Sequence, residues 1–171
     1  MNLNPINISL SRNPTMNSLT IISPTTPALA IIISVDLIAA AGKSESGFFA
    51  RKTKRVITAA FARYQKWLAL MSRYPSTRVS PARDIDEMWH LHMLHPVAYH
   101  RDCLVNFGDI IDHDGGFGAT PDEAPILLEI FQETSALWEK EYGEPYTDTG
   151  SRAVKCTRNC VSRCKRACKP T

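Results

Sequence analysis

Long apolar runs are missing from this sequence. A bilayer-crossing helix needs about twenty consecutive apolar residues, and the best candidate, residues 28–41, is shorter and is interrupted by Asp36. No basic cluster precedes it, so it lacks the front end of a secretory signal. An organelle transit peptide stays open: the first acid is Asp36 and hydroxyl residues abound before it, although Arg12 is the one charge in residues 1–27. Strand-type alternation and domain-scale repeats are also missing, which argues against sheet and solenoid architectures.

Cysteine is scarce where it could staple a fold. Of five cysteines, Cys156, Cys160, Cys164 and Cys168 crowd into one short stretch and Cys103 stands alone. An odd count in that arrangement, without a secretory signal, points to reduced thiols in a cytoplasmic setting. Acids are missing from the C-terminal end. Residues 150–171 hold seven Lys/Arg and no Asp or Glu, leaving 13 basic against 17 acidic residues elsewhere. A polyanion or an anionic membrane would therefore meet the tail first, in a weak and salt-sensitive way. With no aromatic residue there for base stacking, sequence-specific nucleic-acid binding is not expected.

What remains suits one modest all-α domain with two extensions. Residues 1–34, rich in Asn, Ser, Thr and Pro, are expected to form a flexible leader. Residues 35–146 are expected to be a small orthogonal or irregular bundle of four to five helices, followed by a basic, Cys-rich tail at 147–171. Ser34 is expected to cap a short helix that Gly42 stops. A second helix is expected over residues 47–73, with Val56, Ile57, Ala60, Phe61, Tyr64, Trp67, Leu68 and Met71 recurring at helical spacing on one face. Ser80 and Pro81 read as cap and first position of a central helix reaching about His95. Pro96 begins another, stopped by Gly108. Asp122, rather than Thr120, is expected to cap the last helix, which places Pro125 in its first turn. Its inward face is expected to carry Ile126, Leu127, Ile130, Phe131, Leu137, Trp138 and Tyr142, up to Gly143.

The central helix and its extension gather the chemistry. Residues 84–103 hold four of the five histidines, the lone Cys103, and the carboxylates of Asp84 and Asp86. At 100° per residue, Asp86 and His90 share one face whereas His92 and His95 share another. Asp86 can fix the tautomer of His90 and raise its basicity, making the pair a candidate general base or a ligand with its partner. The plainer alternative is a structural Asp–His hydrogen bond. Among His90, His92, His95, His100, Cys103 and His113 the donor types suit zinc, although no His-Glu-x-x-His or Cys-x-x-Cys spacing is present.

The stretch Val79-Ser80-Pro81, then Ile85-Asp86-Glu87-Met88-Trp89-His90-Leu91-His92, then Tyr99, Cys103, Phe107-Gly108 and His113, resembles the glycine-rich domain-containing protein-like family. The pattern Ala62-Arg63-Tyr64-Gln65-Lys66-Trp67-Leu68 is similar to its second helix, and the resemblance covers about residues 36–146. It implies a compact helical module, with some plant relatives linked to development and stress responses. Asp86, Trp89, His90, His92, Tyr99, Cys103 and His113 fall on signature positions, with Trp89 and Tyr99 read as structural. An extended glycine-rich region is lacking, and the basic cysteine tail stands in its place.

Cysteine at every fourth position of the tail would, on a helix, line the sulfurs into one stripe flanked by cations. That stripe could hold Cu(I) or Zn, accept reversible acylation beside anionic lipid, or simply be a basic tail with reactive thiols. Two functions follow as expectations. The first is a non-enzymatic intracellular interaction or regulatory module with a protein partner. The second is a metal-binding protein or metal-dependent enzyme centred on Asp86, His90 and His92. Peripheral membrane attachment through the tail is a third.

Overall fold

The computed structural model describes residues 30–147. The expected leader before residue 30 and the tail thiols lie outside the described residues. Within them the protein is all-α: α1 Leu37–Gly42, α2 Lys54–Arg73, α3 Arg83–Met93, α4 Pro96–Phe107 and α5 Glu123–Tyr142.

Helix α2 is the longest partner of α3, and α1 packs on both. The apolar stripe of α2 explains this. Ile57, Ala60, Tyr64, Trp67 and Leu68 are all buried, and they meet Ile85, Met88 and Trp89 of α3 in one core cluster. Fully burying such side chains is worth about 1.5–3 kcal/mol each. Val56, expected on that stripe, is instead exposed, while its neighbour Ile57 faces the core. Helix α5 adds Phe131 and Trp138 to the cluster, while its expected inward residue Ile126 is exposed near the helix start.

Several boundaries differ from the sequence expectation, each for a local reason. The cap of α1 is Asp36, whose Oδ1 accepts from Ala39 N at 2.9 Å; Ser34 instead donates its N–H to Asp102. Helix α2 starts at Lys54, capped by Thr53, because residues 47–51 form a turn with positive φ at Gly47 and Arg51. Ser80 does not cap α3. Its N–H goes to Thr134 Oγ1, and α3 begins at Arg83 after Ala82, whose N–H donates to the Tyr146 hydroxyl. Helix α3 also ends at Met93, so that His95 becomes the residue before Pro96 in α4. Asp122 makes no capping bond; Thr120 and Glu123 do so reciprocally, Oγ1 to N at 3.3 Å and Oε2 to N at 3.5 Å. Gly108 and Gly143 close α4 and α5 in the left-handed conformation that glycine adopts without strain.

Candidate metal centre

Asp86 and His90 stand one turn apart on α3, so their side chains emerge side by side. Opposite them runs the loop that follows α4, and it carries His113. The loop is fixed from within the core. Trp89 Nε1 donates to the Tyr99 hydroxyl at 2.8 Å, and that hydroxyl donates in turn to Ile111 O. Two residues further on, the His113 ring packs against the Trp89 ring with centroids 4.5 Å apart.

The result is a triangle of Lewis-basic atoms. His113 Nε2 lies 2.9 Å from His90 Nε2 and 3.1 Å from Asp86 Oδ1, and the third side, His90 Nε2 to Asp86 Oδ1, is 3.7 Å. One imidazole N–H would have to serve both neighbours. A cation bonded at about 2.0–2.1 Å in tetrahedral geometry sets its donors about 3.3 Å apart, in the middle of these separations. Asp86 and His113 are buried and His90 is half-buried, so the triangle has one side toward solvent. It is the group of His, Cys, Asp and Glu donors that converges closely enough to hold an ion among the described residues.

His92 belongs to a separate, fully enclosed network. Its Nε2 lies 3.2 Å from Asp102 Oδ2 and its Nδ1 2.9 Å from the Tyr64 hydroxyl. Because a carboxylate only accepts, Nε2 carries the hydrogen and Nδ1 accepts from Tyr64. Burial lowers the His92 pKa against the pull of Asp102, keeping the ring neutral. Asp102 Oδ2 also takes the Ser34 N–H at 2.6 Å, so the network ties the segment before α1 onto α4. Both imidazole nitrogens are thereby used, and His92 points away from the His90 triangle, as their 200° separation on one helix requires.

The other sequence candidates are dispersed. His95 turns its Nδ1 back to Leu91 O at 2.9 Å, His100 is exposed on the outer side of α4, and Cys103 is buried beside Tyr99. Burial pushes the Cys103 thiol up, favouring S–H over the thiolate a metal needs. Asp84 takes the Arg63 guanidinium at 2.6 Å and lies away from the triangle's bonds. Sequence reasoning missed Asp102. It shares a face with Tyr99 and Cys103 at helical spacing, a signal that was there to be read. No helix among the described residues is long and apolar enough to cross a membrane.

Comparison with known proteins gives a consistent picture. The family model described as glycine-rich domain-containing protein-like matches residues 9–102. Two relatives from Arabidopsis thaliana are similar over most of the chain. Glycine-rich domain-containing protein 1 is 31% identical over 140 residues, 76% of this chain and 17% of the relative. Glycine-rich domain-containing protein 2 is 30% identical over 134 residues, 72% of this chain and 17% of the relative. The chain thus spans about one sixth of the length of each. No solved structure matches it. The matched interval includes Asp86, His90 and His92 but ends before His113.

Proposed function

The chain belongs to the glycine-rich domain-containing protein-like family, and we propose that it is a divalent-metal-binding helical module whose ion is held by Asp86, His90 and His113. The supporting observation is the convergence of one carboxylate oxygen and two imidazole nitrogens within 4.8 Å of one another. Zinc is the ion of choice. Two imidazoles and a carboxylate are its ordinary donors, three protein ligands leave a position for water, and Cu(I) would prefer sulfur to the Asp86 oxygen. Trp89 and Tyr99 keep His113 in place, and the half-buried His90 edge gives water its approach. Zinc there would supply a polarising centre and lower the pKa of the water it holds.

The test is titration of chelator-stripped, tag-free full-length protein with Zn²⁺, and with Co²⁺ as a coloured substitute. One equivalent is expected to bind, with the d–d intensity of a tetrahedral site. His90→Ala and His113→Ala abolish it, whereas His95→Ala and Cys→Ser changes in the tail leave it intact. Stoichiometric binding that survives both histidine variants would sink the assignment.

A non-enzymatic interaction module is the second reading, favoured by one observation. The outer face of α4 presents Val97 at 81% exposure with Leu104 and Val105 along the same helix. The two readings are compatible, since Val97, Leu104 and Val105 are not among the three donors.

A further inference from the structure

Two cationic elements from distant parts of the sequence meet at one pole of the bundle. The Phe48 ring lies under Lys52 Nζ at 5.5 Å and under the Arg83 guanidinium at 5.3 Å, which joins the turn before α2 to the first residue of α3. Arg51, Lys52, Lys54 and Arg55 are all exposed. None of the four takes part in an ion pair among the described residues.

The same pole receives the C-terminal end of the described chain. The Tyr146 hydroxyl accepts from Ala82 N and donates to Ser80 O, both at 2.9 Å, immediately before Arg83. Arg63 adds a bond from its guanidinium to Tyr146 O while its Nε holds Asp84. The described residues thus end close to the folded cluster, and the sequence that follows, residues 150–171, holds seven Lys/Arg and no acid.

We propose that the face formed by Phe48, Arg51, Lys52, Lys54, Arg55 and Arg83 docks on an anionic lipid surface. Charge complementarity and geometry favour a sheet of phosphates over a single phosphate group. Lys52 and Arg83 meet over the Phe48 ring, but Lys54 and Arg55 diverge by 100° around the helix axis and Arg51 lies in the turn before them, so the face as a whole spreads its cations. Exposed Val56 lies next to them and offers apolar contact at the headgroup boundary. Nucleic acid is the less suitable polyanion. The Phe48 ring is already covered by two cations, and residues 148–171 contain no aromatic side chain to stack on a base. Each cation near an anionic leaflet strengthens binding roughly fivefold, so three are worth about a hundredfold.

The experiment mixes the full-length chain with vesicles of phosphatidylcholine alone or with about one quarter phosphatidylserine, near 0.1 M salt where screening is moderate. Binding only to the anionic vesicles is expected. The variant Lys52→Gln/Lys54→Gln/Arg55→Gln, its helicity checked by circular dichroism, is expected to bind about a hundredfold more weakly. A tail variant, Arg163→Gln/Lys165→Gln/Arg166→Gln/Lys169→Gln, is expected to weaken binding in addition. The proposal is overturned if the first variant binds as tightly as the parent, including the case in which the tail variant alone abolishes binding. Equal binding to neutral vesicles overturns it too. So does a parent chain that ignores both vesicles yet retains duplex DNA at the same salt, which would make the face a nucleic-acid contact.

Discussion

His90 and His113, 23 residues apart in sequence, face each other Nε2 to Nε2 at 2.9 Å, with Asp86 Oδ1 completing the triangle. At this separation two imidazole nitrogens have something between them to share, a proton or an ion. If that something is a metal, ion binding is linked to folding. Zinc at about a hundred times its dissociation constant is expected to stabilise the protein by about 2.7 kcal/mol. His113→Ala is expected to remove the zinc-dependent rise in melting temperature, and His95→Ala to keep it. Thermal unfolding with and without Zn²⁺ measures this directly, and an equal rise in the His113→Ala protein would count against the site.

The Tyr99 hydroxyl stands between Trp89 Nε1 and Ile111 O. Tyr99→Phe keeps the ring in the core but cuts both bonds, so the loop carrying His113 loses its anchor. Partners that orient ligands typically carry 10- to 100-fold in metal affinity, and a loss of about that size is expected for Zn²⁺. The unmetallated protein should be weakened much less, by about 1–3 kcal/mol for the orphaned groups. Competition with a chromophoric chelator reads the affinity; an unchanged value would relieve Tyr99 of this positioning role.

How much of this could be read in the sequence depends on how local the determinant is. Pro96, Gly108 and Gly143 act through their own backbone geometry, and the helix ends beside them stand where the sequence placed them. The separation of His90 from His92 follows from helical rotation alone. Ser80 and Ser34 misled for the opposite reason. Each looks like a cap, but each stands two residues before the observed cap, its backbone N–H held by Thr134 or Asp102, 54 or 68 residues away. The Asp86–His113 contact spans 27 residues and depends on how the loop after α4 folds back, which periodicity does not encode. Hydropathy names the face that is buried and leaves open what lies against it.

Gly118 tests that loop independently of its polar groups. Its φ is +85°, and a Cβ built there would lie 2.4 Å from Leu127 Cδ2 and 3.3 Å from Leu127 Cβ. Gly118→Ala therefore requires the Leu127 side chain, α5 or the loop to give way, on top of the left-handed backbone penalty. A destabilisation of about 1–3 kcal/mol is expected from the overpacking, measured by urea unfolding. Because Gly118 N also donates to Glu123 Oε2 at 3.2 Å, the displacement should reach the start of α5. A variant as stable as the parent would mean that the Leu127 side chain yields without cost.

Glu141 provides a pH test remote from the histidines. The Tyr74 hydroxyl and the Arg73 guanidinium both donate to its carboxylate and join the end of α2 to α5. These bonds, that of Tyr74 foremost, hold the carboxyl below its ordinary value of 4.5. The folded state thus binds its proton more weakly than the unfolded chain. The stabilisation is complete above 4.5 and fades as pH falls through the folded value. Glu141→Gln keeps the side-chain shape but has no charge to lose. Its urea midpoint is expected below that of the parent at about pH 7, and the gap should narrow as pH falls below 4.5 and close once the parent carboxyl is protonated as well. A gap that stays constant on acidification would show that the charge of Glu141 contributes nothing to holding α2 against α5.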